Sequence, residues 1–418
     1  MAILRQIIGH GQVFPVTTAR APRRGRALGM VPAIADGAIV IEDGRIRDVG
    51  PTAEILKRYP DWDELVDARG RAVVPGFIDC HTHLPFAAWR ADEYRSRLAG
   101  QRYEEIAKTQ GGIARSSVQL RQTPDEQVLR FTRTLAEEMR ATGTTTLEMK
   151  SGYGLTVEAE LRQLRLIARL RPQLAQHLVA TGLFLHAVPP DVPRSEWIRT
   201  VTEELLPLAS AEELVAGVDA FVESTAFSVE EVRPLIDEAV RRQLIIRLHT
   251  DQFTQMGGTA LGIGARARGI DHLDYLADED ILRLAASDSV AVLLPAATYS
   301  MNQTVRPPAR RLIDAGAAIA VATDFNPGTA PISSMPLAIS LAVHLFGLTP
   351  EEALSAVTIN AAYVLGLDQE MGSLEAGKQA DLLILDSDQL EMIPYRAGHN
   401  PVAHVMIRGE WIEASSSQ

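Results

Sequence analysis

The chain has 418 residues, 41 lysines and arginines against 53 aspartates and glutamates, a formal charge of −12 and one cysteine, Cys80. With 46 % hydrophobic and 22 % charged residues it can bury a large core, which excludes a disordered or collagen-like polymer. The lone thiol excludes an intramolecular disulfide framework and a cysteine-built zinc site, and the acidic balance argues against nucleic acid as a partner.

Residues 1–73 read as short β elements. A strand starts at AILRQIIG, and AIVIEDGRIRDVGP carries one strand into an Asp-Gly turn and a second out of it. The start of the chain shows no charged leader with an apolar run and a small-residue cleavage site, and no apolar run nears the ~18 residues of a membrane span. Cytoplasmic residence without a membrane partner is the expectation. Arg20, Arg23, Arg24 and Arg26 cluster among Pro and Gly and are expected to form a solvated loop.

From 74 to 371 short apolar runs alternate with amphipathic stretches, the pattern of repeated βα units. The runs are 72–83, 144–152, 177–187, 217–225, 244–251, 269–273, 289–296 and 318–326. Between them lie helix-like segments such as PDEQVLRFTRTLAEEMRATG, with Thr-Pro-Asp at its start and Gly143 past its end. Residues 372–413 return to short runs punctuated by Gly and Asp, as in ADLLILDSD and HVMIRGEWIE. The prediction is an α/β fold: a parallel (β/α)8 TIM-like barrel over 74–371, flanked by a small discontinuous β-sandwich domain from 1–73 and 372–418. The last five residues, 414–418, are expected to fray. A doubly wound sheet would want a Gly-rich fingerprint after its first strand, and none is present.

Of ten histidines, five (His81, His83, His186, His249 and His272) fall at or near carboxyl ends of predicted strands, where a barrel gathers its chemistry. Residues two apart on a strand share a face, so His81 and His83 can reach the barrel mouth together. Alone, such a pair is equally well a surface strand with two exposed histidines. His249 near the end of the fifth run, His272 in the sixth and Asp324 in the eighth reduce the weight of that alternative. For Asp324 alone, the alternative is a helix N-cap. Three imidazoles and one carboxylate suit a divalent ion, zinc or iron, with a position left for water whose pKa falls towards ~7.

VVPGFIDCHTH, with His249, His272, Asp324 and the split β domain, resembles the amidohydrolase superfamily of metal-dependent hydrolases. KSGYGL (150–155), HAVPP (186–190) and ATDFNPG (322–328) are similar to the imidazolonepropionase family of histidine degradation, over nearly the whole chain. The resemblance implies one metal ion on His81, His83, His249 and Asp324, with His272 unligated beside the attacking water and Asp324 also acting as base. It implies substrate contacts from Arg90, Tyr153, His186, Gln252, Asn326, Gly328 and Thr329, and a homodimer. The implied reaction opens 4-imidazolone-5-propanoate, a small anionic heterocycle, at its cyclic amide C–N bond to give N-formimidoyl-L-glutamate. A guanidinium matches a carboxylate with paired donors, so Arg90 is the expected anchor.

Two features refine the subtype. Binuclear relatives carry a carbamylated lysine on the fourth strand, where this chain has Phe221-Val222-Glu223-Ser224; one metal is expected, with Lys150 on the second strand in a supporting role. Deaminase relatives place a glutamate three residues after the fifth-strand histidine, where this chain has Gln252, an amide with no acid–base function. A deaminase or other cyclic-amide hydrolase is the alternative within enzymes; a non-catalytic scaffold is disfavoured because every expected ligand is present. The chain departs from the family pattern at Leu84-Pro85-Phe86-Ala87-Ala88-Trp89, at Phe184-Leu185 and at Gln110-Gly111-Gly112. Bulkier side chains there are expected to narrow the pocket.

Overall fold

Short strands from both chain ends pair with one another in a computed structural model that describes residues 5–101 and 111–413. Gln110 and residues 414–418, on which two expectations fall, lie outside the described residues. The N-terminal strands are β1 (Arg5–Val13), β2 (Ile34–Glu42), β3 (Arg45–Pro51), β4 (Glu64–Asp67) and β5 (Ala72–Pro75). Eight parallel strands follow: β6 (Phe77–Asp79), β7 (Thr144–Lys150), β8 (His177–Leu185), β9 (Gly217–Val222), β10 (Ile245–Thr250), β11 (Gly269–His272), β12 (Val290–Leu293) and β13 (Ala318–Val321). The chain closes with β14 (Leu382–Leu385), β15 (Val402–Ile407) and β16 (Glu410–Ile412).

The terminal strands form one hydrogen-bonded sheet in the order β16-β15-β14-β5-β1-β2-β3, with β4 on β1. Asp43 and Gly44 both take positive φ, +49° and +75°, which suits a two-residue hairpin whose twist matches its strands; Glu42 pairs with Arg45 across it. The run 72–83, read as one strand, is two. β5 pairs with β14 and β1 in the terminal sheet, and β6 enters the barrel, so the expected boundary at 73/74 falls inside β5. Gly76 is the crossing point because a Cβ there would lie 2.2 Å from Thr145 Oγ1.

The second sheet runs β13-β12-β11-β10-β9-β8-β7-β6, all parallel, with helices between successive strands. Strands covered on both faces need apolar residues on both, which explains the near-continuous runs. The helix Asp125–Ala141 follows Thr123-Pro124 and stops before Gly143, whose φ is +95°. Capping boxes at Ser228/Glu231 and Thr349/Glu352 start two others.

No ladder joins β13 to β6. The barrel closes past their ends instead, through a Thr82–Phe325 bridge in which His83 N donates to Phe325 O at 2.9 Å. Below it, Thr323 donates to the buried Asp79 carboxylate from its backbone N (3.2 Å) and its hydroxyl (2.5 Å). The Arg20–Arg26 segment is the solvated loop expected only at Arg20 and Arg26, whose side chains are exposed. Arg23 is buried with its backbone N on Asn360, and Arg24 and Arg20 both pair with Asp288, pinning the segment to the barrel. Among the described residues no helix is long and apolar enough to cross a membrane.

The seam gives the first test. Thr323→Val keeps the shape but removes a hydroxyl donated to a buried carboxylate, and is expected to lower unfolding stability by about 1.5–3 kcal/mol. Urea denaturation measures this, with Thr323→Ser, which keeps the hydroxyl, expected to recover most of the loss.

Candidate active site

β6 ends at Asp79, and past it the imidazoles of His81 and His83, either side of the bridged Thr82, both reach the barrel mouth. His81 Nε2 lies 3.3 Å from His83 Nε2, and His83 Nε2 lies 3.4 Å from His249 Nε2. Asp324 Oδ1 lies 3.5 Å from His81 Nε2 and 3.1 Å from His83 Nε2. Of these donors His249 stands on β10, while His81 and His83 follow the end of β6 and Asp324 follows the end of β13. A tetrahedral ion with bonds of 2.0–2.1 Å has ligand-to-ligand edges of about 3.3–3.4 Å; His81, His83 and His249 form a close group of that scale, with Asp324 beside its His81–His83 edge.

The orientation of the rings supports the same fit. His249 Nδ1 lies 3.0 Å from Asp219 Oδ2 and His81 Nδ1 3.5 Å from Asp271 Oδ2. A carboxylate on the Nδ1 side keeps the proton there and leaves the Nε2 lone pair facing the cluster. Lone pairs facing one another without a cation would repel. Burial alone would raise the Asp324 carboxyl, but His81 and His83 beside it hold it well below the usual range. His272 is driven down to about 3 by burial, so it is neutral; its ring centre lies 5.3 Å from that of His249. His186, pushed well below its ordinary value by burial and by His83 and His249, stacks on His83 at 5.2 Å.

These groups open into one small cavity. Of the residues singled out in the sequence, His83, Arg90, Tyr153, His186, His249, Gln252, His272, Asp324, Asn326 and Thr329 line it. His81 lies beneath, fully buried. Gly328 does not line the cavity but backs Arg90: a Cβ there would fall 1.9 Å from Arg90 Nη2. The Arg90 guanidinium is held by Ser116 Oγ, which accepts from Nη1 at 2.8 Å, and by Glu93, 3.3 Å from Nε. Asn326 uses its amide within its own loop. Oδ1 accepts from the backbone of Gly328 (2.9 Å) and Thr329 (2.7 Å), and Nδ2 donates to Asp324 O (2.7 Å). The loop bearing Tyr153 is fixed by Glu160, which accepts from Gly152, Gly154 and Leu155 N.

The departures at 84–89 and 184–185 do not line the cavity. Phe184 is packed in the core, Phe86 meets Trp89, Phe131 and Phe325 edgewise, and Trp89 meets Phe131 in the same way. Sequence reasoning missed the supports: Glu93 and Ser116 on Arg90, Glu160 under Tyr153, and Asp219 and Asp271 behind the imidazoles. The last two carried a signal, since each is a carboxylate inside an otherwise apolar run.

A parallel barrel with this donor set at its carboxyl mouth defines a class of barrel hydrolase, and the amidohydrolase family model matches residues 72–412. A second model, an imidazolonepropionase-like composite domain of bacteria, matches residues 37–61. The imidazolonepropionase of Symbiobacterium thermophilum is 40 % identical over 412 residues, covering 97 % of this chain and 96 % of its own. That of Deinococcus radiodurans is 42 % identical over 394 residues, covering 94 % and 96 %. The chain belongs to the imidazolonepropionase family of amidohydrolases. Among solved structures, a guanine deaminase from Bradyrhizobium japonicum matches with TM-score 0.75 at 15 % identity, over 99 % of this chain and 100 % of its own. An adenosine deaminase from Xanthomonas campestris with bound zinc matches at 0.71 and 21 %, over 98 % and 92 %. At these identities the likeness is one of fold.

The donor cluster predicts a binding-linked shift in stability. Zinc at about 100 times its dissociation constant is expected to stabilise the protein by about 2.7 kcal/mol, and Asp324→Ala is expected to lose most of that gain. Thermal unfolding with and without chelator measures it.

Proposed function

We propose that this chain hydrolyses 4-imidazolone-5-propanoate at its ring amide C–N bond, giving N-formimidoyl-L-glutamate, with one zinc or iron ion on His81, His83, His249 and Asp324. The observation that carries the reading is a single cavity with a clamped guanidinium on its wall and four converging donor atoms at its floor. One ion suffices because the second close grouping, Asp219, His249 and Asp271, is already compensated: Lys150 Nζ lies 2.9 Å from Asp219, and Arg247 Nη2 lies 2.6 Å from Asp271. When bound, a divalent ion supplies carbonyl polarisation and hydroxide near neutral pH.

The protein's own groups supply the rest. Arg90 pairs with the propanoate carboxylate and fixes the ring's distance from the floor. Gln252 hydrogen-bonds the ring amide and moves no proton. Asp324 accepts a proton from the attacking water and returns it to the departing ring nitrogen; the water oxygen bonds to the carbonyl carbon as the C–N bond breaks. His272, neutral through burial, donates a hydrogen bond to the developing oxyanion.

Ring opening is followed as loss of the ultraviolet absorbance of freshly generated imidazolonepropionate, with chelated protein as control. Asp324→Asn is expected to abolish turnover; wild-type-like rates would refute its role as base. Gly328→Ala displaces Arg90, and a misplacement near 1 Å is expected to lower kcat/KM by about 10²-fold, chiefly through KM. Release of ammonia from aminated heterocycles, with imidazolonepropionate untouched, would select a deaminase.

A further inference from the structure

Five charged side chains sealed beneath the imidazoles take no part in the chemistry above. Glu148 and Lys150 on β7, Asp219 on β9, Arg247 on β10 and Asp271 on β11 are each at most 1 % exposed. They form a continuous chain between two histidines. From His249, Asp219 contacts Lys150 at 2.9 Å, Lys150 contacts Glu148 at 2.8 Å, and Glu148 contacts Arg247 at 3.0 Å. Arg247 then donates to Asp271 at 2.6 Å, which faces His81, and to the backbone O of Cys80 at 2.5 Å. Room for the guanidinium exists because residue 269 is glycine; a Cβ there would lie 2.7 Å from Arg247 Nε.

We propose that this buried chain of ion pairs is a positioning network that aims Nε2 of His81 and His249 at the ion site, with Arg247 and Asp271 as its positioning residues for His81. It rests on the reading of the four donors as an ion-holding set. Charge supports it independently: three carboxylates against two cations leave one net negative charge, Asp324 adds another, and a divalent ion makes the buried assembly neutral. Water cannot solvate that excess, so neutrality has to come from within. The network also sets the tautomer. A carboxylate at 271 keeps the His81 proton on Nδ1, whereas an amide there can donate to Nδ1 and turn an Nε2–H towards the cluster.

The test is Asp271→Asn, which keeps size and shape, beside Arg247→Met, Arg247→Lys and a control, Ile246→Ala, which removes core packing on the same strand. Zinc affinity is read by competition with a chromophoric chelator, and the His81 tautomer by ring nitrogen chemical shifts in the metal-free protein. Asp271→Asn and Arg247→Met are expected to bind zinc roughly 10–100-fold more weakly, with Arg247→Lys recovering part of the loss. Ile246→Ala is expected to lower stability while leaving affinity within about twofold of wild type, because its side chain packs in the main apolar cluster and carries no charge or hydrogen bond of the network. Should Arg247→Met not fold, Asp271→Asn decides alone. Wild-type affinity and an unchanged tautomer in Asp271→Asn would overturn the network, as would an equal loss in Ile246→Ala. A wild-type protein that binds no zinc or iron would overturn the functional reading and the network together.

Discussion

Charge placed inside a barrel has to be balanced inside it, because no water reaches it to share the work. Around the site five ionised side chains, three imidazoles and Asp324 sit within a few ångströms and almost without solvent exposure. Leaving any one carboxylate unpaired in such surroundings is far more unfavourable than a lost surface contact. That constraint explains why charges appear singly inside apolar strands rather than in runs. β7 supplies Glu148 and Lys150 two residues apart on one face, and β10 supplies Arg247 and His249 in the same way. β10 thus delivers one group to the site and one to the layer that supports it, while β7 gives both of its charges to that layer.

The barrel's closure is coupled to the same place. His81 and His83 stand on one side of the seam and Asp324 on the other, and the Thr82–Phe325 bridge joins the two edges between them. A gap of an ångström there would separate the carboxylate from both imidazoles. Asp324 and His272 both take left-handed backbone, with φ of +56° and +78°, where ordinary side chains are disfavoured. The surrounding bonds hold them: Asn326 ties its loop to Asp324 O, and Leu273 N is tied to Thr250 O. Strain at these strand ends turns side chains inward that a regular strand would carry past the mouth.

Much of this architecture is visible in the chain before any coordinates. The eight apolar runs, the Asp43-Gly44 hairpin and the pairing of both chain ends follow from local pattern, since burial on both faces and two-residue turns leave short-range signatures. The gathering of His81, His83, His249, His272 and Asp324 follows from their places at strand ends. Other features depend on contacts distant in sequence and leave weaker traces. The break at Gly76 is set by Thr145, and the burial of Arg23 by Asn360. The bulky side chains at 84–89 and 184 look like pocket residues only until their packing partners, Phe131 and Phe325 among them, are known. Asn326 reads as a ligand contact from its motif, yet most of its amide is committed to its own loop.

An acidic protein that takes an anionic substrate needs a local reversal of its field. The formal charge of −12 is spread over a surface where salt screens charges beyond about 8–10 Å, so it weakly opposes entry and does not decide binding. Arg90 decides it. Glu93 beside its Nε offsets part of the guanidinium's charge, so attraction alone is a poor basis for selecting a carboxylate. Geometry is a better one. Among the described residues, Glu93 faces Nε and Ser116 accepts from Nη1, while Nη2 lies against Gly328, where no Cβ intrudes. A carboxylate of the right reach can sit there and place a ring over the donor cluster, whereas a neutral ring of equal size gains nothing from that edge. On that reading selection rests on the distance between a fixed fork and a fixed floor, the fork held by Glu93 and Ser116 and two of the floor's imidazoles backed by Asp219 and Asp271.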